Sequence, residues 1–339
     1  MTKHSEYETI DPTAELITTY NELNSPVIDE LTEPPSALEF MRFVAKNRPF
    51  VVRGGASNWS AAETWNIATL KKWLKGQDVT VAVTPNGNAD APVMTGDGKI
   101  MFVQPLEEQQ AFDEFVDFVV GQERTGKKIR DVKEVRYAQT QNDNLRNEYS
   151  ALYSQVEKDI AWARIALQKS PDAVNLWIGN SLSTTALHKD NYENIYVQIL
   201  GKKHFVLLPP VAYACVAERH LPSARWMRKP YGRLEITTEE DHSIPFATWD
   251  PDNPTPAAEM QTMYSILAQP MRVTLEPGDM LYLPALWYHK VSQSTSDEGI
   301  CVAANYWYDI EFGGSFWPLC NLARTVGTTA LQIEPEDIV

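Results

Sequence analysis

The chain has 339 residues, 43% of them hydrophobic and 10% aromatic, which is enough to bury a sizeable core and excludes a disordered chain as the default. A formal net charge of −15 leaves no basic surplus for gripping a phosphate backbone; it would instead steer basic partners, such as Lys- or Arg-rich peptides, to the surface. The three cysteines, Cys215, Cys301 and Cys320, lie far apart with no C-x-x-C, so a disulfide framework and a zinc ribbon are excluded and a reducing compartment is indicated. The N-terminus is polar without an apolar h-region, and no run of about eighteen apolar residues occurs, so neither a signal peptide nor a membrane span is expected. The expected compartment is the cytoplasm, with the nucleus as the second choice.

Asp11-Pro12 reads as the cap and first turn of a short helix over 11–22. A second helix is predicted from Ser36 to Lys46, with Ser36 as cap and Leu38, Phe40, Met41, Phe43 and Val44 as its apolar face. The run 49–55 reads as a short buried strand ended by a glycine turn. A helix over 69–74 and a strand over 79–83 follow, and Asn86-Gly87 and Asp97-Gly98 are turn signals, the latter closing a hairpin. Leu106 to Gln122 is predicted as one amphipathic helix, and 136–141 as a strand. Residues 143–168 are charged and helix-prone. From Leu176 onward, short strand-like runs succeed one another: 176–178, 184–190, 194–200, 203–208, 271–275, 280–283, 290–293 and 301–308. That rhythm is that of a jelly roll rather than of βαβ units. The Pro-, Asp- and Glu-rich stretch 221–260 reads as a long insertion, and 315–331 as a terminal helix apolar enough (Phe316, Trp317, Leu319, Leu322) to pack on the domain or on a second subunit. The organisation expected is an N-terminal α/β extension (1–134), a β core (135–312) and a C-terminal helix and tail (313–339).

The stretch Thr185 to Asn194 carries His188-Lys189-Asp190. Side chains alternate faces along a strand, so His188 and Asp190 project together while Lys189 turns away. A second histidine from another strand, His289 at the end of 279–289, would complete two imidazoles and one carboxylate, the facial set of non-haem Fe(II) oxygenases. Continuing at period two brings Tyr192 and Asn194 into phase. After Gly201-Lys202, read as a hairpin turn, Lys203, Phe205 and Leu207 share one face and His204 the other. Lys203 is either a solvated turn residue or an inward cation that needs an anion, such as one end of a dicarboxylate. In the last strand Cys301, Ala303, Asn305 and Trp307 fall together, placing Asn305 and Trp307 in a narrow pocket. His204, His4 and His220 lack ligand-like company, and His242 sits in an acidic run read as a flexible loop.

The runs Leu187 to Asn194, Gly201 to Phe205, Pro209-Pro210, Pro277 to His289 and Asn305 to Tyr308 together resemble the JmjC-domain family, within it the small JmjC-only protein hydroxylases, including lysyl hydroxylases of developmentally regulated GTP-binding proteins. The resemblance is strongest from Trp177 to Tyr308 and extends upstream through Arg53-Gly54 and Tyr137. It implies a mainly β fold with helical additions, a double-stranded β-helix (cupin-like jelly roll), and oxidation by O2 with Fe(II) and 2-oxoglutarate. It also implies His188, Asp190 and His289 as iron ligands and Lys203, Thr185 and Tyr137 on the distal carboxylate of 2-oxoglutarate. Asn194 and Asn305 would contact the co-substrate near the metal, and Tyr192 and Trp307 would line the substrate pocket. Thr185 is out of phase with His188 on a straight strand, so that role requires a bend.

A lysyl hydroxylase of a GTP-binding protein is the leading expectation, with a homodimer through the C-terminal helix. Histone lysine demethylation shares the chemistry, but no zinc motif or reader module accompanies the core. A tRNA-base hydroxylase fits poorly with the missing basic stripe. An inert cupin binding module would be expected to lose at least one of the three ligands or Lys203.

Overall fold

In a computed structural model of the chain, residues 11–253 and 255–331 are described; His4 and the end of the tail lie outside them. The elements in chain order are α1 (Pro12–Leu23), β1 (Asp29–Leu31), α2 (Ala37–Lys46), β2 (Phe50–Val52), α3 (Ser60–Thr64), α4 (Ile67–Trp73), β3 (Asp78–Thr84), β4 (Ala91–Met94), β5 (Ile100–Gln104), β6 (Leu106–Ala111), α5 (Phe112–Arg124), β7 (Val135–Tyr137) and α6 (Ala161–Leu167). There follow β8 (Ala173–Gly179), β9 (Thr185–Lys189), β10 (Tyr192–Leu200), β11 (Lys202–Leu208), β12 (Glu218–Arg228), β13 (Leu234–Ala247), β14 (Met271–Leu275), β15 (Met280–Leu283), β16 (Tyr288–Ser294), β17 (Cys301–Asp309) and α7 (Phe316–Ala330).

Two sheets make the jelly roll. The major one runs β1-β2-β15-β10-β17-β8 and the minor one β14-β11-β16-β9. Between them lies a core to which the major sheet gives Val51, Trp177, Tyr196, Leu281 and Leu283, and the minor sheet Phe205, Leu207, Met271, Val273 and Val291. On its other face the major sheet buries Ile195, Val197, Tyr282, Val302 and Tyr306 against Phe40 of α2, Phe115 and Val119 of α5 and Ala163 of α6. Both faces being covered explains why β10 and β17 read as near-continuous apolar runs. The outer face of the minor sheet is polar at one end, where His204 bonds Thr274 and Ser294 and Lys202 pairs with Glu276; at the other end Leu187, Leu208 and Tyr288 are buried with Ile17 of α1 and residues 212–216. The expected fold class is therefore the observed one.

Several local expectations need correction. Leu106 to Gln122 is not one helix: Leu106–Ala111 is β6, paired residue for residue with β3, and the helix begins at Phe112. Helix-favouring Glu and Gln there yield to sheet pairing, because intrinsic propensity is weaker than a ladder of partners. Gly201 does not close a hairpin. It has φ +68°, and a Cβ there would stand 2.5 Å from the Ser294 carbonyl. The chain turns there from β10 in the major sheet to β11 in the minor one. Residues 143–168 give mostly turns and only the short α6, because Asp143 and Asn144 spend their side chains on the edge of β8. Asn144 bonds both the N–H and the carbonyl of Leu176 (2.6 and 3.0 Å), and Asp143 accepts from Val174 N. In α2 the Ser36 cap forms a capping box with Glu39, but Leu38 is 70% exposed, and only Phe40 of the proposed face is fully buried. The 221–260 stretch is largely the β12–β13 hairpin, joined to β5 and β4 in a four-stranded sheet, so His242 lies on a strand and not in a flexible loop. β3, β6 and β7 make a further small sheet. Among the described residues no helix is long and apolar enough to cross a membrane.

Candidate active site

His188 on β9 and His289 on β16 are direct cross-strand partners, so their rings project from one face with centroids 4.1 Å apart. Asp190 follows β9 at the corner before β10, its carbonyl held by the Leu286 N–H at 2.9 Å. Its Oδ2 lies 3.8 Å from His188 Nε2 and 3.6 Å from His289 Nε2. One donor atom from each of the three falls within 4.8 Å of the others, the spacing of groups around one ion. The residues fit a divalent metal in a second respect. His188 Nδ1 donates to the Ala186 carbonyl (2.8 Å) and His289 Nδ1 to the Trp287 carbonyl (3.0 Å). A carbonyl only accepts, so each Nδ1 carries the proton and each Nε2 lone pair faces the cluster. Burial, followed by the neighbouring His188, lowers the His289 pKa to about 4, so the ring is neutral at physiological pH and needs no proton released to ligate.

Behind the triad, the minor sheet sets out layers. Leu207 and Met271 lie level with the histidines, Phe205 and Val273 come next, and then Lys203, Leu275 and Gln293. Thr185 was the outlier in phase, and the bend it required is present. Between the pairs His289–His188 and Val291–Thr185, one residue of β16 (Lys290) faces two of β9 (Ala186 and Leu187), a bulge that returns Thr185 to the face of His188. Lys203, the ambiguous residue, is inward: it is 2% exposed, and its Nζ donates to Tyr137 Oη at 2.6 Å. Among the described residues no carboxylate lies within 4.0 Å of this ammonium, and burial lowers its pKa to about 8. A dehydrated cation with only neutral neighbours is the cradle of an anion.

The major sheet supplies amides and rings. Trp177 Nε1 donates to Asn305 Oδ1 (2.9 Å) and Asn305 Nδ2 to Asn194 Oδ1 (3.1 Å), a chain that orients Asn194. Tyr192 and Trp307 stack with centroids 4.7 Å apart and planes 2° apart. Lys189, as alternation requires, points away and lies over Tyr288 and Tyr213.

Supporting residues went unnoticed in the sequence. Glu193, buried beside Asn194, accepts from Tyr282 Oη (2.6 Å) and Ala285 N (3.2 Å), pinning the turn that presents His289. Asp279 accepts from Arg53, Gly54 and Glu276, tying β2 to the start of β15. Gly179 leaves room for the Tyr137 ring: a Cβ would come within 2.4 Å of it. A glycine inside a strand was the available signal. Asp90 and Gln139 are joined at 3.0 Å; the signal for Gln139 was its phase, two residues beyond Tyr137.

The model of the cupin-like domain matches residues 35–314. The Arabidopsis thaliana protein named lysine-specific demethylase JMJ32 is 36% identical over 293 residues, covering 84% of this chain and 82% of the relative. The Homo sapiens protein named bifunctional peptidase and (3S)-lysyl hydroxylase JMJD7 is 36% identical over 285 residues, covering 83% and 84%. The Dictyostelium discoideum JmjC domain-containing protein E is 33% identical over 303 residues, 84% of each chain. A jelly roll with two histidines and an aspartate on one inner face, and relatives matched along most of both chains, lead to one assignment: the chain belongs to the cupin-like JmjC family and is a 2-oxoglutarate-dependent dioxygenase.

Proposed function

We propose that the protein is an Fe(II)-dependent protein hydroxylase acting on a lysine side chain, with a GTP-binding protein as target. The observation that carries the reading is the pairing, in one cup, of a facial ligand set with a buried ammonium that has no anion of its own. His188, Asp190 and His289 would hold the iron. Bound there, iron(II) would supply the activation of O2 for oxidation of a C–H bond, with 2-oxoglutarate converted to succinate and CO2.

The protein's own part is placement. Lys203 with Tyr137, and Thr185 on the same face, hold the distal carboxylate of the co-substrate and select its length. Asn194, oriented by Asn305, hydrogen-bonds nearer the metal. Tyr192 and Trp307 flank the mouth as a flat aromatic wall for the substrate chain. Lysine as the target is supported by two of the similar proteins, whose names both state activity on lysine. Demethylation remains the second reading, supported by the equal similarity to the protein named a demethylase. We further infer a cytoplasmic enzyme that pairs through α7, where Leu319 and Leu322 are 59% and 58% exposed.

Incubation with Fe(II), 2-oxoglutarate and GTP-binding proteins should add 16 daltons to a lysine, read by mass spectrometry of the digest. Loss of methyl groups from methyl-lysine peptides, with no such gain, would replace hydroxylation by demethylation. No succinate under any condition would leave an inert binding module.

A further inference from the structure

The loop between β3 and β4 is pressed against the strand that carries the first ligand. Thr184 N donates to the Gly87 carbonyl at 2.8 Å, and a Cβ on Gly87 would fall 2.0 Å from the Leu182 carbonyl oxygen, so only glycine fits. The loop ends at Asp90, whose φ of +51° is a left-handed conformation that Asp tolerates better than most residues. One carboxylate oxygen accepts from Gln139 Nε2 at 3.0 Å. Gln139 follows Tyr137 at the strand period, while Ala138 between them bridges Ile178 and belongs to the outer core, so Gln139 reaches from the cup side. Asp90 is half-buried, and among the described residues no lysine, arginine or histidine nitrogen comes within 4.0 Å of it. The titratable and charged groups that act on it from the surrounding elements are His188, Arg225 and Glu107. It is thus a partly dehydrated carboxylate beside the metal strand, oriented by a neutral amide and without a counter-ion.

Resting on the lysyl reading, we infer that Asp90, positioned by Gln139, receives the ε-ammonium of the substrate lysine. With Oδ2 already turned to Gln139, Oδ1 is the free end of the carboxylate, and a one-point contact there suits the compact charge of an ammonium better than the parallel two-oxygen pairing that a guanidinium prefers. A trimethylammonium would find neither a donor contact nor an aromatic cage here, because Tyr192 and Trp307 lie flat on each other. Lys203 serves the opposite charge, so the cup holds one site for an anion and one for a cation. Asp90 therefore discriminates among side chains and leaves the oxidation itself to the metal end.

The test uses two peptide libraries, one with a fixed central lysine and one with norleucine, which replaces the ammonium by a methyl group. The wild-type enzyme should hydroxylate the lysine library and scarcely touch norleucine. Asp90→Asn keeps an oxygen for Gln139; it should lower kcat/KM on lysine about 10- to 100-fold, mainly through KM, and bring the lysine-to-norleucine ratio toward one. Asp90→Glu should restore part of the preference, and melting curves should show all three proteins folded. Equilibrium binding of the lysine peptides without O2 should weaken by the same factor in Asp90→Asn. An unchanged ratio or unchanged binding in Asp90→Asn overturns the proposal and leaves the lysyl reading intact. Oxidation of neither library by a wild-type enzyme that forms succinate removes the lysyl reading itself, and Asp90 as its anchor with it.

Discussion

The two sheets of the jelly roll share one strand pattern and differ in what covers their backs. The major sheet is buried on both faces, sealed by α2, α5 and α6, and toward the cup it offers Asn194, Asn305, Tyr192 and Trp307. The minor sheet is covered behind at one end only, where Leu187, Leu208 and Tyr288 pack with Ile17 of α1 and with residues 212–216; at the other end Lys202 and His204 stand among serines and threonines, and into the cup it offers His188, His289, Thr185 and Lys203. The ionisable side chains of the cup stand on or beside the minor sheet, and the amides and flat rings on the major one. On the cup face of the major sheet the amides of Asn305 and Asn194 are joined with the Trp177 indole in one hydrogen-bonded chain.

That division can be broken most severely at His289. Replacing it with alanine should lower metal affinity by more than the roughly 100-fold that loss of a mere supporting contact costs, and abolish turnover. Calorimetry would show it directly: added Fe(II) or Mn(II) should raise the melting temperature of the wild type and leave His289→Ala unmoved. A metal-induced rise that survives the substitution would place the ion elsewhere. The next effect belongs to Lys203. Lys203→Met removes a buried cation that has no carboxylate within 4.0 Å among the described residues, so the free protein should be as stable as the wild type or more so. Its 2-oxoglutarate affinity should nevertheless fall about 10- to 100-fold, the value of a charge-assisted contact. Loss of stability together with affinity would make Lys203 a structural residue.

The pH profile sharpens the same contrast. Burial lowers the Lys203 pKa from 10.5 to about 8, so the ammonium is present at neutral pH and is lost as pH rises through 8. Co-substrate affinity should therefore fall above pH 8, approaching tenfold per pH unit, and Lys203→Met should be flat over that range. Stability of the free protein has the opposite sign. Between pH 8 and about 10 the unfolded lysine holds its proton and the folded one does not, so the unfolded state binds more protons and stability rises with pH.

The cluster of His188, Asp190 and His289 was legible because donor chemistry and strand phase are both local: His188 and Asp190 are two residues apart, and His289 ends an unbroken run from Pro277. Lys203 was half legible. Alternation put it on one face with Phe205 and Leu207 and left open whether it was solvated or inward, which depends on Tyr137, a residue from another part of the chain. β6 was misread because Leu106–Ala111 carries helix formers, and what overrides them is the pairing with β3, invisible in one sequence. Glu193, Gly179, Asp90 and Gln139 were missed for the same reason: each acts through a partner distant in the chain. The bulge in β9 is the instructive middle case, since the role assigned to Thr185 required a bend there before any coordinate located it.

The smallest effect tests the sealed sheet. Tyr192 and Trp307 lie on β10 and β17 one register apart: Trp307 faces Asn194, and Tyr192 faces Asp309. Their parallel stack contributes about 0.5–1.5 kcal/mol beyond area burial. Tyr192→Leu keeps an apolar side chain but loses the flat ring, so stability should fall by about that amount. If the stack only closes the sheet, kcat/KM for a protein substrate should be unchanged. If the two rings form the wall along which the substrate chain enters, KM should rise several-fold while 2-oxoglutarate affinity, fixed at the Lys203 end, stays where it was. The second outcome is expected, because both rings stand on the cup face of the major sheet, in phase with Asn194 and Asn305.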